Sequence, residues 1–177
     1  NAITYKETFP LIKENKMWLG NGFHAGNAFF STPFAKEYGE GVYMPETGLV
    51  KFRNVCWFTN LDHGRRHQPL PLMTMEENLK YSKHKEIKGK KVYEKYDNYN
   101  AIEIPFTDSI PSDYSGVMGV PLSFLDKYSP EQFEIIGGSA NGQVPNEFKI
   151  GDFKVYNNPI SNGRKIYQRI LIKHKEK

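Results

Sequence analysis

Two tight-turn signals, each flanked by extended apolar sequence, constrain the fold of this chain more than any other feature. The first is the turn 45–48 (Pro-Glu-Thr-Gly), which separates the extended stretches 41–44 and 49–61. The second is Asn162-Gly163, a pair that favours β-hairpin turns because both residues tolerate positive φ. Together they predict two antiparallel hairpins, and therefore a chain with more strand than helix.

Further short strands are predicted where apolar residues stand between glycines, prolines and polar turns, at 16–19, 100–104, 133–136 and 165–173. Helix-start signals occur at three places: Thr4 with Glu7, Thr74 with Glu77, and the proline that opens 121–128. The segment 20–41 is rich in Gly, Phe and Ala without a clear period, and we expect a loop there. The pattern predicts an α/β fold with a mixed β-sheet and few helices.

Length and composition are those of one globular domain, which we expect to span residues 1–177. Hydrophobic side chains make up 38% of the chain and aromatic side chains 14%, enough to build a core. No apolar run approaches the roughly 18 residues that cross a bilayer, and no signal-peptide pattern opens the sequence. The single cysteine, Cys56, excludes an internal disulfide, so we expect a cytoplasmic protein without membrane contact.

Positive charge is concentrated in one stretch of the sequence. The formal net charge is +4, but residues 51–95 contain eleven Lys or Arg and only five Asp or Glu. This excess predicts a face that contacts phosphates; a merely solvated surface has the same composition and is the alternative. The candidate phosphate-binding residues are Arg65, Arg66, Lys80, Lys83, Lys90 and Lys91.

An aromatic pair near the end of the predicted strand 49–61 is the second candidate site. Trp57 and Phe58 precede a polar stretch that contains Asn60, and polar loops after strands often carry functional residues. Aromatic rings stack on nucleobases, and an amide can bond a base edge. Trp57, Phe58 and Asn60 are therefore candidate target-base contacts, with an ordinary core strand as the alternative explanation for the aromatics.

Two other sequence patterns favour no site. His63 and His67 stand four residues apart, but the glycine and two arginines between them suit neither a helix nor a cation site, so no metal is expected. The glycines at 20, 22 and 26 resemble a phosphate-binding loop. Such a loop must open a helix, and the Phe-Phe-Ser-Thr-Pro sequence at 29–33 is a poor helix.

A set of sequence strings resembles the adenine-specific DNA methyltransferase family typified by the EcoRI methylase. The strings occur in the same order from one end of the chain to the other, which makes the set more specific than any one of them. They are NAITYKE at 1–7, FPLIKEN at 9–15, MWLG at 17–20, GLVKFRNV at 48–55, WFTNLD at 57–62, YDNYNAIE at 96–103, DY at 113–114, GVMGVP at 116–121, FLDKYSPEQFEII at 124–136 and IYQRILI at 166–172.

This resemblance implies a reaction, a cofactor and a substrate. Members of the family transfer a methyl group from S-adenosylmethionine to adenine N6 in DNA, usually beside a cognate restriction enzyme. Their cofactor loop and Asn-Pro-Pro-Phe catalytic tetrapeptide lie upstream of the segment that resembles 1–7. Here no two of the eleven prolines are adjacent, and 157–160 (Asn-Asn-Pro-Ile) is the nearest string. We therefore expect no catalytic residue in this chain, and S-adenosylmethionine bound only by the full-length parent, through residues that the resemblance does not specify.

The resemblance also implies a place for this chain within a larger protein. It is expected to be the late part of a Rossmann-like methyltransferase fold, the C-terminal portion of an enzyme whose N-terminal segment is missing. In methyltransferases of this general fold, an aromatic on a late hairpin strand can help clamp the flipped base, and Trp57 and Phe58 occupy a comparable strand end. The alternative is a free-standing nucleic-acid-binding module without catalytic activity, which the upstream gene sequence would distinguish.

Overall fold

The computed structural model describes residues 2–20, 26–141, 143–151 and 158–176. The chain divides into two compact units: a larger unit, Asn1–Met17 with Gly64–Lys177, and an inserted unit, Trp18–His63. Each unit has its own β-structure. Among the helices of these described ranges, none is both long and apolar enough to span a membrane.

The described residues of the inserted unit, 18–20 and 26–63, form five short strands. β1 (Trp18–Leu19) pairs antiparallel with β5 (Phe58–Thr59). A separate three-stranded antiparallel sheet has the order β2-β4-β3, and its strands are β2 (Gly26–Phe30), β3 (Tyr43–Met44) and β4 (Leu49–Val55). Ala28 and Val50, each 1% exposed, are buried on this sheet.

A four-stranded sheet organises the larger unit. Its strands are β6 (Ile102–Glu103), β7 (Met118–Pro121), β8 (Phe133–Gly138) and β11 (Arg169–His174), in the spatial order β6-β7-β11-β8. β6 runs parallel to β7, and β11 runs antiparallel to both β7 and β8. The sheet therefore has three mutually parallel strands, with one antiparallel strand inserted between the second and the third.

The core of the larger unit lies on this sheet. Helix α1 (Phe9–Lys13) buries Phe9 and Ile12, and the Phe9 ring covers Gly138 in β8. A second helix, α2 (Met75–Tyr81), begins at the N-cap Thr74. Burial of each large apolar side chain contributes roughly 1.5–3 kcal/mol. The side chains with no more than 2% exposure include Ile104, Met118, Phe124, Phe133, Ile135, Ile170, Leu171 and Ile172.

The two hairpins that the turn signals predict are confirmed. β3 and β4 flank the turn 45–48, where Gly48 has φ of 70°. The Asn162-Gly163 turn joins β9 (Ile160–Ser161) to β10 (Arg164–Lys165). Asn162 and Gly163 have φ of 51° and 74°, so both central residues adopt the left-handed conformation that this pair favours. The mixed α/β class with few helices is confirmed as well.

The prediction of a loop throughout 20–41 was wrong. β2 lies within it, and a 3₁₀ turn follows at Ala35–Glu37. Phe29 and Phe30 are aromatic residues that favour strands, but glycine before them and proline after them leave too few residues for a period to show. Gly22 falls at 21–25, outside the described residues, so the glycine pattern there is untested.

Several predicted boundaries were also wrong. The strand 49–61 ends at Val55, and β5 is a separate strand that pairs with β1. The predicted strand 165–173 is split into two strands, because β10 ends at Lys165 and β11 begins at Arg169, whose backbone N–H donates to Ser139 Oγ at 2.8 Å. The strand predicted to stop at 136 continues through two glycines. A Cβ at Gly137 would lie 2.3 Å from the carbonyl oxygen of Gln143, so glycine there permits close packing rather than ending the strand.

The helix signals had mixed outcomes. Thr74 and Glu77 form the predicted capping box at the start of α2. The first helix begins at Phe9 rather than near Thr4, because Pro10 fits only in a first turn, where no N–H is required. The segment after Pro121 is a 3₁₀ helix, Leu122–Lys127, in place of an α-helix.

Candidate nucleic-acid interface

The predicted base-contacting residues lie on and beside β5 in the inserted unit. Phe58 is paired with Leu19 across the strands and is half-buried, whereas Trp57 precedes the strand and is 56% exposed. The backbone N–H of Gly20 donates to the carbonyl oxygen of Trp57 at 2.8 Å, which fixes the backbone beneath the indole. Asn60 follows the strand and is exposed. Of the two aromatics, Trp57 therefore offers the more accessible ring.

A local turn holds the residues after β5 in place. Thr59 Oγ1 accepts the backbone N–H of Leu61 at 2.9 Å, and the indole N–H of Trp18 donates to the carbonyl oxygen of Leu61 at 3.1 Å. The backbone N–H of His63 donates to Asp62 Oδ1 at 3.0 Å. The ring Nε2 of His63 lies 3.0 Å from the carbonyl oxygen of Leu19. These hydrogen bonds therefore fix the backbone of the loop that contains Asn60.

The two candidate arginines lie on a 3₁₀ turn, Gly64–His67, in the larger unit. Arg65 Nη2 donates to Asp126 Oδ2 at 2.9 Å, and both side chains are partly exposed. Arg66 Nη2 donates to Asn15 Oδ1 at 3.1 Å, and that oxygen also accepts the Tyr128 hydroxyl at 3.1 Å. Both guanidinium groups are therefore oriented by the protein, and Arg65 already has a carboxylate partner.

The candidate lysines begin in α2 and continue after it. Lys80 Nζ lies 5.0 Å from the centroid of the Tyr81 ring, within cation–π range. Lys83 Nζ lies 2.7 Å from Asp108 Oδ2, and Lys90 Nζ lies 2.5 Å from Glu94 Oε1. Lys91 is exposed. Arg65, Lys83 and Lys90 are thus already paired with carboxylates, which reduces the charge available to a ligand.

These pairs change the ionisation of their carboxylates. Hydrogen bonds from Lys90 and Ser161 lower the pKa of Glu94. Burial acts to raise the pKa of Asp108, but hydrogen bonds from Lys83 and His84 outweigh it and the pKa is lowered. Both carboxylates are therefore charged at neutral pH and attract the same lysines that a phosphate would have to recruit.

The described residues contain no group of His, Cys, Asp and Glu that could hold a metal ion. His63 bonds the Leu19 carbonyl, and His67 Nδ1 lies 2.6 Å from Glu131 Oε1, so each ring has a separate partner in its own unit. Burial raises the pKa of the Cys56 thiol, which is the opposite of what a nucleophilic cysteine requires.

A cavity of about 220 Å³ in the larger unit was not anticipated from the sequence. Glu94 and Glu103 lie on its wall, but Glu94 is paired with Lys90 and Glu103 with Arg169. Glu86 is a third acidic residue on the wall, and most of the remaining lining side chains, such as Ile87 and Val92, are apolar.

Comparison with known proteins points to one enzyme class. The family profile described as adenine-specific methyltransferase EcoRI matches residues 1–175. The type II methyltransferase M.EcoRI of Escherichia coli is 43% identical over 179 residues, covering 99% of this chain and 48% of that protein. M.MgeORF184P of Mycoplasma genitalium is 32% identical, and M.MpnI of Mycoplasma pneumoniae is 30% identical. Each of these alignments again covers 99% of this chain, with 55% and 54% of the relative.

The chain thus spans about half the length of the curated relatives it matches. No solved structure gives a significant match.

Proposed function

Because this chain belongs to the family of the adenine-specific methyltransferase EcoRI, we propose that it forms part of a site-specific DNA adenine-N6 methyltransferase of a restriction–modification system. The observation that carries the proposal is the match of the family profile over nearly the whole chain, together with 43% identity to a type II methyltransferase. The alignment covers about half of each relative, and the sequence lacks the Asn-Pro-Pro-Phe tetrapeptide that lies upstream in this family, so we assign this chain to the C-terminal portion of the enzyme.

The sheet of the larger unit supports a place late in a Rossmann-like methyltransferase fold. Three of its strands are parallel, and parallel strands require crossover connections of the kind that build open α/β sheets. The antiparallel β11 lies between β7 and β8 in this sheet. In such folds ligands bind beyond the carboxyl ends of the parallel strands.

The division of labour in the proposed enzyme follows from its chemistry. S-adenosylmethionine supplies the methyl group, and its binding residues belong to the part of the enzyme that carries the Asn-Pro-Pro-Phe tetrapeptide, which this sequence lacks. Double-stranded DNA is the other ligand, and the target adenine has to leave the stack at a cost of a few kcal/mol. We assign this chain to DNA and base contacts, with no catalytic residue of its own.

Two sets of residues are proposed for these contacts. Trp57 and Phe58 would stack on the extruded adenine, each ring contributing about 1–3 kcal/mol, and Asn60 would bond its edge. A second set would contact phosphates, and such contacts position a protein without reading sequence. That set is Arg65, Arg66, Lys80, Lys83, Lys90 and Lys91. The exposure of Trp57 and Asn60 supports the first assignment, and the exposure of Lys91 supports the second.

The test begins with the gene. An Asn-Pro-Pro-Phe codon string upstream of the codon for Asn1 is expected, and the protein translated from the complete reading frame should place N6-methyladenine in duplex DNA, measured by mass spectrometry of DNA nucleosides. The 177-residue chain alone should show no methylation and no S-adenosylmethionine binding by calorimetry. An upstream sequence without the tetrapeptide would favour the free-standing binding module, and a micromolar dissociation constant for the chain alone would contradict the assignment of the cofactor site.

A further inference from the structure

The three-stranded sheet of the inserted unit has two chemically different faces. Because side chains alternate along a strand, cross-strand partners in the register share a face. Phe29 is paired with Lys51, and Lys51 Nζ lies 5.9 Å from the centroid of the Phe29 ring. Phe30 is paired with Val50 and Ala28 with Phe52, which places these four side chains on the opposite face.

The face with Phe30 and Phe52 is structural. The two rings lie 5.9 Å apart, and Tyr38 meets Phe52 edge-on at 5.7 Å. Ala28 and Val50, each 1% exposed, lie on the same face as cross-strand partners of Phe52 and Phe30. The aromatic residues of this face therefore pack against one another as core residues do, and this packing explains their presence without a ligand.

The face with Phe29 and Lys51 has a different character. Phe29 is 49% exposed. Arg53 lies two residues beyond Lys51 in β4, where the register with β2 shifts, and it is exposed. Strands β2, β3 and β4 contain two basic residues and no acidic residue. Within the part of the chain that the structure describes, neither Lys51 nor Arg53 forms an ion pair, in contrast to Arg65, Lys83 and Lys90.

We propose that this basic face of the β2–β4 ribbon, with Phe29, Lys51 and Arg53, lies against the duplex that the enzyme binds. The proposal rests on the proposed function, in that it names a DNA-contacting surface of the same enzyme. Charge complementarity favours DNA as the partner. Lys51 and Arg53 lie on a strand pair without carboxylates and form no ion pair in the described residues, so this face attracts a phosphate backbone and repels basic partners. No residue of this face belongs to the contacts proposed above.

The dimensions of the ribbon fit the major groove. β3 pairs with β4 only at Leu49 and Val50, so β2 and residues 51–55 of β4 form a two-stranded ribbon. Adjacent strands lie about 4.8 Å apart, and the major groove is roughly 12 Å wide, so it admits such a ribbon with its side chains. β2 extends about 17 Å, at 3.3 Å per residue for five residues. Lys51 and Arg53 then reach phosphates or guanine edges, and Phe29 meets a base from the apolar side, as aromatic and methyl groups do at thymine.

The experiment compares variants of the 177-residue chain in titrations of a labelled duplex at several salt concentrations. Lys51→Gln with Arg53→Gln removes two charges and keeps part of each stem, so the slope of log K against log salt should become less steep by about 1.8. Phe29→Ala should weaken binding at every salt concentration without changing that slope. Lys36→Gln is the matched control, because Lys36 is exposed in the same unit but outside the strands, and it should change neither quantity.

Circular dichroism checks that each variant is folded, and a charge-conserving variant serves as a second control. Lys51→Arg with Arg53→Lys keeps both charges and should retain the parent slope, whether or not the neutral variant is less stable. A slope that is unchanged in the neutral variant, or changed equally by Lys36→Gln, would overturn the proposal. So would failure of the parent chain to bind duplex even at low salt. Methylation by the complete protein is a separate measurement, so a wrong surface leaves the proposed function standing, and absent methylation leaves the slopes interpretable.

Discussion

At the scale of single residues, the most consequential group in the larger unit is a buried ion pair. Arg169 Nη2 lies 2.7 Å from Glu103 Oε1, and the two side chains are 12% and 9% exposed. The hydroxyl of Tyr96 donates to the same carboxylate. Removing one partner of a buried pair typically costs about 3–5 kcal/mol, because the other charge stays desolvated.

Arg169→Leu should therefore lower the free energy of unfolding by about 3–5 kcal/mol, measured by urea denaturation. The double variant Glu103→Leu with Arg169→Leu removes both charges and should recover most of that loss. Arg164→Leu, at an exposed position of β10, is the control and should stay within about 0.5 kcal/mol of the parent. Equal destabilisation by the single and the double variants would show that packing, rather than the unpaired charge, determines the effect.

Buried tyrosines make the stability of the larger unit sensitive to alkaline pH. Burial raises the pKa of Tyr99 to about 12 and raises the pKa of Tyr96 well above its ordinary value. Since the unfolded chain releases these protons near pH 10, the stability they contribute is complete below pH 10 and is lost as pH rises toward 12. The free energy of unfolding should fall in this window by up to about 1.4 kcal/mol per pH unit for each tyrosine.

Tyr99→Phe should make that decline less steep, measured by urea denaturation at half-unit steps of pH. Tyr5→Phe is the control, because the Tyr5 side chain is 57% exposed and meets water in both states, and it should leave the slope unchanged. The same slope in Tyr99→Phe and in the parent would contradict the assignment of the alkaline loss to this residue.

Trp57 and Phe58 are expected to behave differently when each is truncated. Trp57→Ala should weaken binding to a duplex with an unpaired adenine by about fivefold to 150-fold, the equivalent of 1–3 kcal/mol of stacking, with little change on an intact duplex. Because Trp57 is 56% exposed, the variant should also remain as stable as the parent. Phe58→Ala should show the same binding defect together with a loss of thermal stability, since Phe58 packs beside Leu19.

Phe34→Ala is the matched control for these two variants, because Phe34 is 60% exposed in the same unit and has no proposed contact. It should bind both duplexes like the parent. If Phe58→Ala loses stability but keeps its affinity for unpaired adenine, the ordinary core strand is the better explanation of that residue.

At the scale of secondary-structure elements, α2 depends on its N-terminus. Thr74 Oγ1 accepts the backbone N–H of Glu77 at 3.2 Å, and Glu77 Oε2 accepts the backbone N–H of Thr74 at 2.8 Å. Asp113 Oδ1 accepts a third backbone N–H, that of Met75, at 2.7 Å. A helix of seven residues has few internal bonds, so these caps satisfy a large share of its backbone donors.

Thr74→Ala should cost about 1 kcal/mol of unfolding free energy, measured by urea denaturation. Thr74→Ser keeps the cap and should cost a few tenths of that. Glu77→Gln also preserves a capping box and is expected to have a small effect, because glutamine accepts the same N–H. Should Thr74→Ser and Thr74→Ala be equally destabilising, the hydroxyl bond would not be the source of the stability.

The elements that the sequence predicts are those specified by local chemistry. The Asn162-Gly163 turn, the hairpin at 45–48 and the capping box at Thr74 depend on residues a few positions apart, and all three are confirmed. β2 and the separation of β4 from β5 depend on pairing with distant strands, which leaves no local signal. Gly137 could not be interpreted from its sequence neighbours for the same reason. Glycine is required there because the carbonyl oxygen of Gln143 packs against it.

At the scale of the whole molecule, the charge excess in 51–95 was visible in the sequence, but its pairing was not. Arg65, Lys83 and Lys90 find carboxylates at Asp126, Asp108 and Glu94, of which only Glu94 lies within the same stretch. Composition counts charges without regard to such partners, so it overstates the charge that a phosphate would meet. The family resemblance, carried by ordered strings, was the more dependable guide and is confirmed over residues 1–175.

The proposed phosphate contacts of the larger unit are tested by the salt dependence of DNA binding. Arg65→Gln with Arg66→Gln should lower affinity by the same factor on duplexes of unrelated sequence, because phosphate contacts carry no sequence information. Two lost contacts would flatten the slope of log K against log salt by about 1.8. We expect a smaller change, because Arg65 must give up or share its 2.9 Å contact with Asp126 to reach a phosphate.

Arg164→Gln removes an exposed charge outside the basic stretch and serves as the control. A solubilising surface predicts the same slope for the parent, the double variant and the control, and that result would remove Arg65 and Arg66 from the interface.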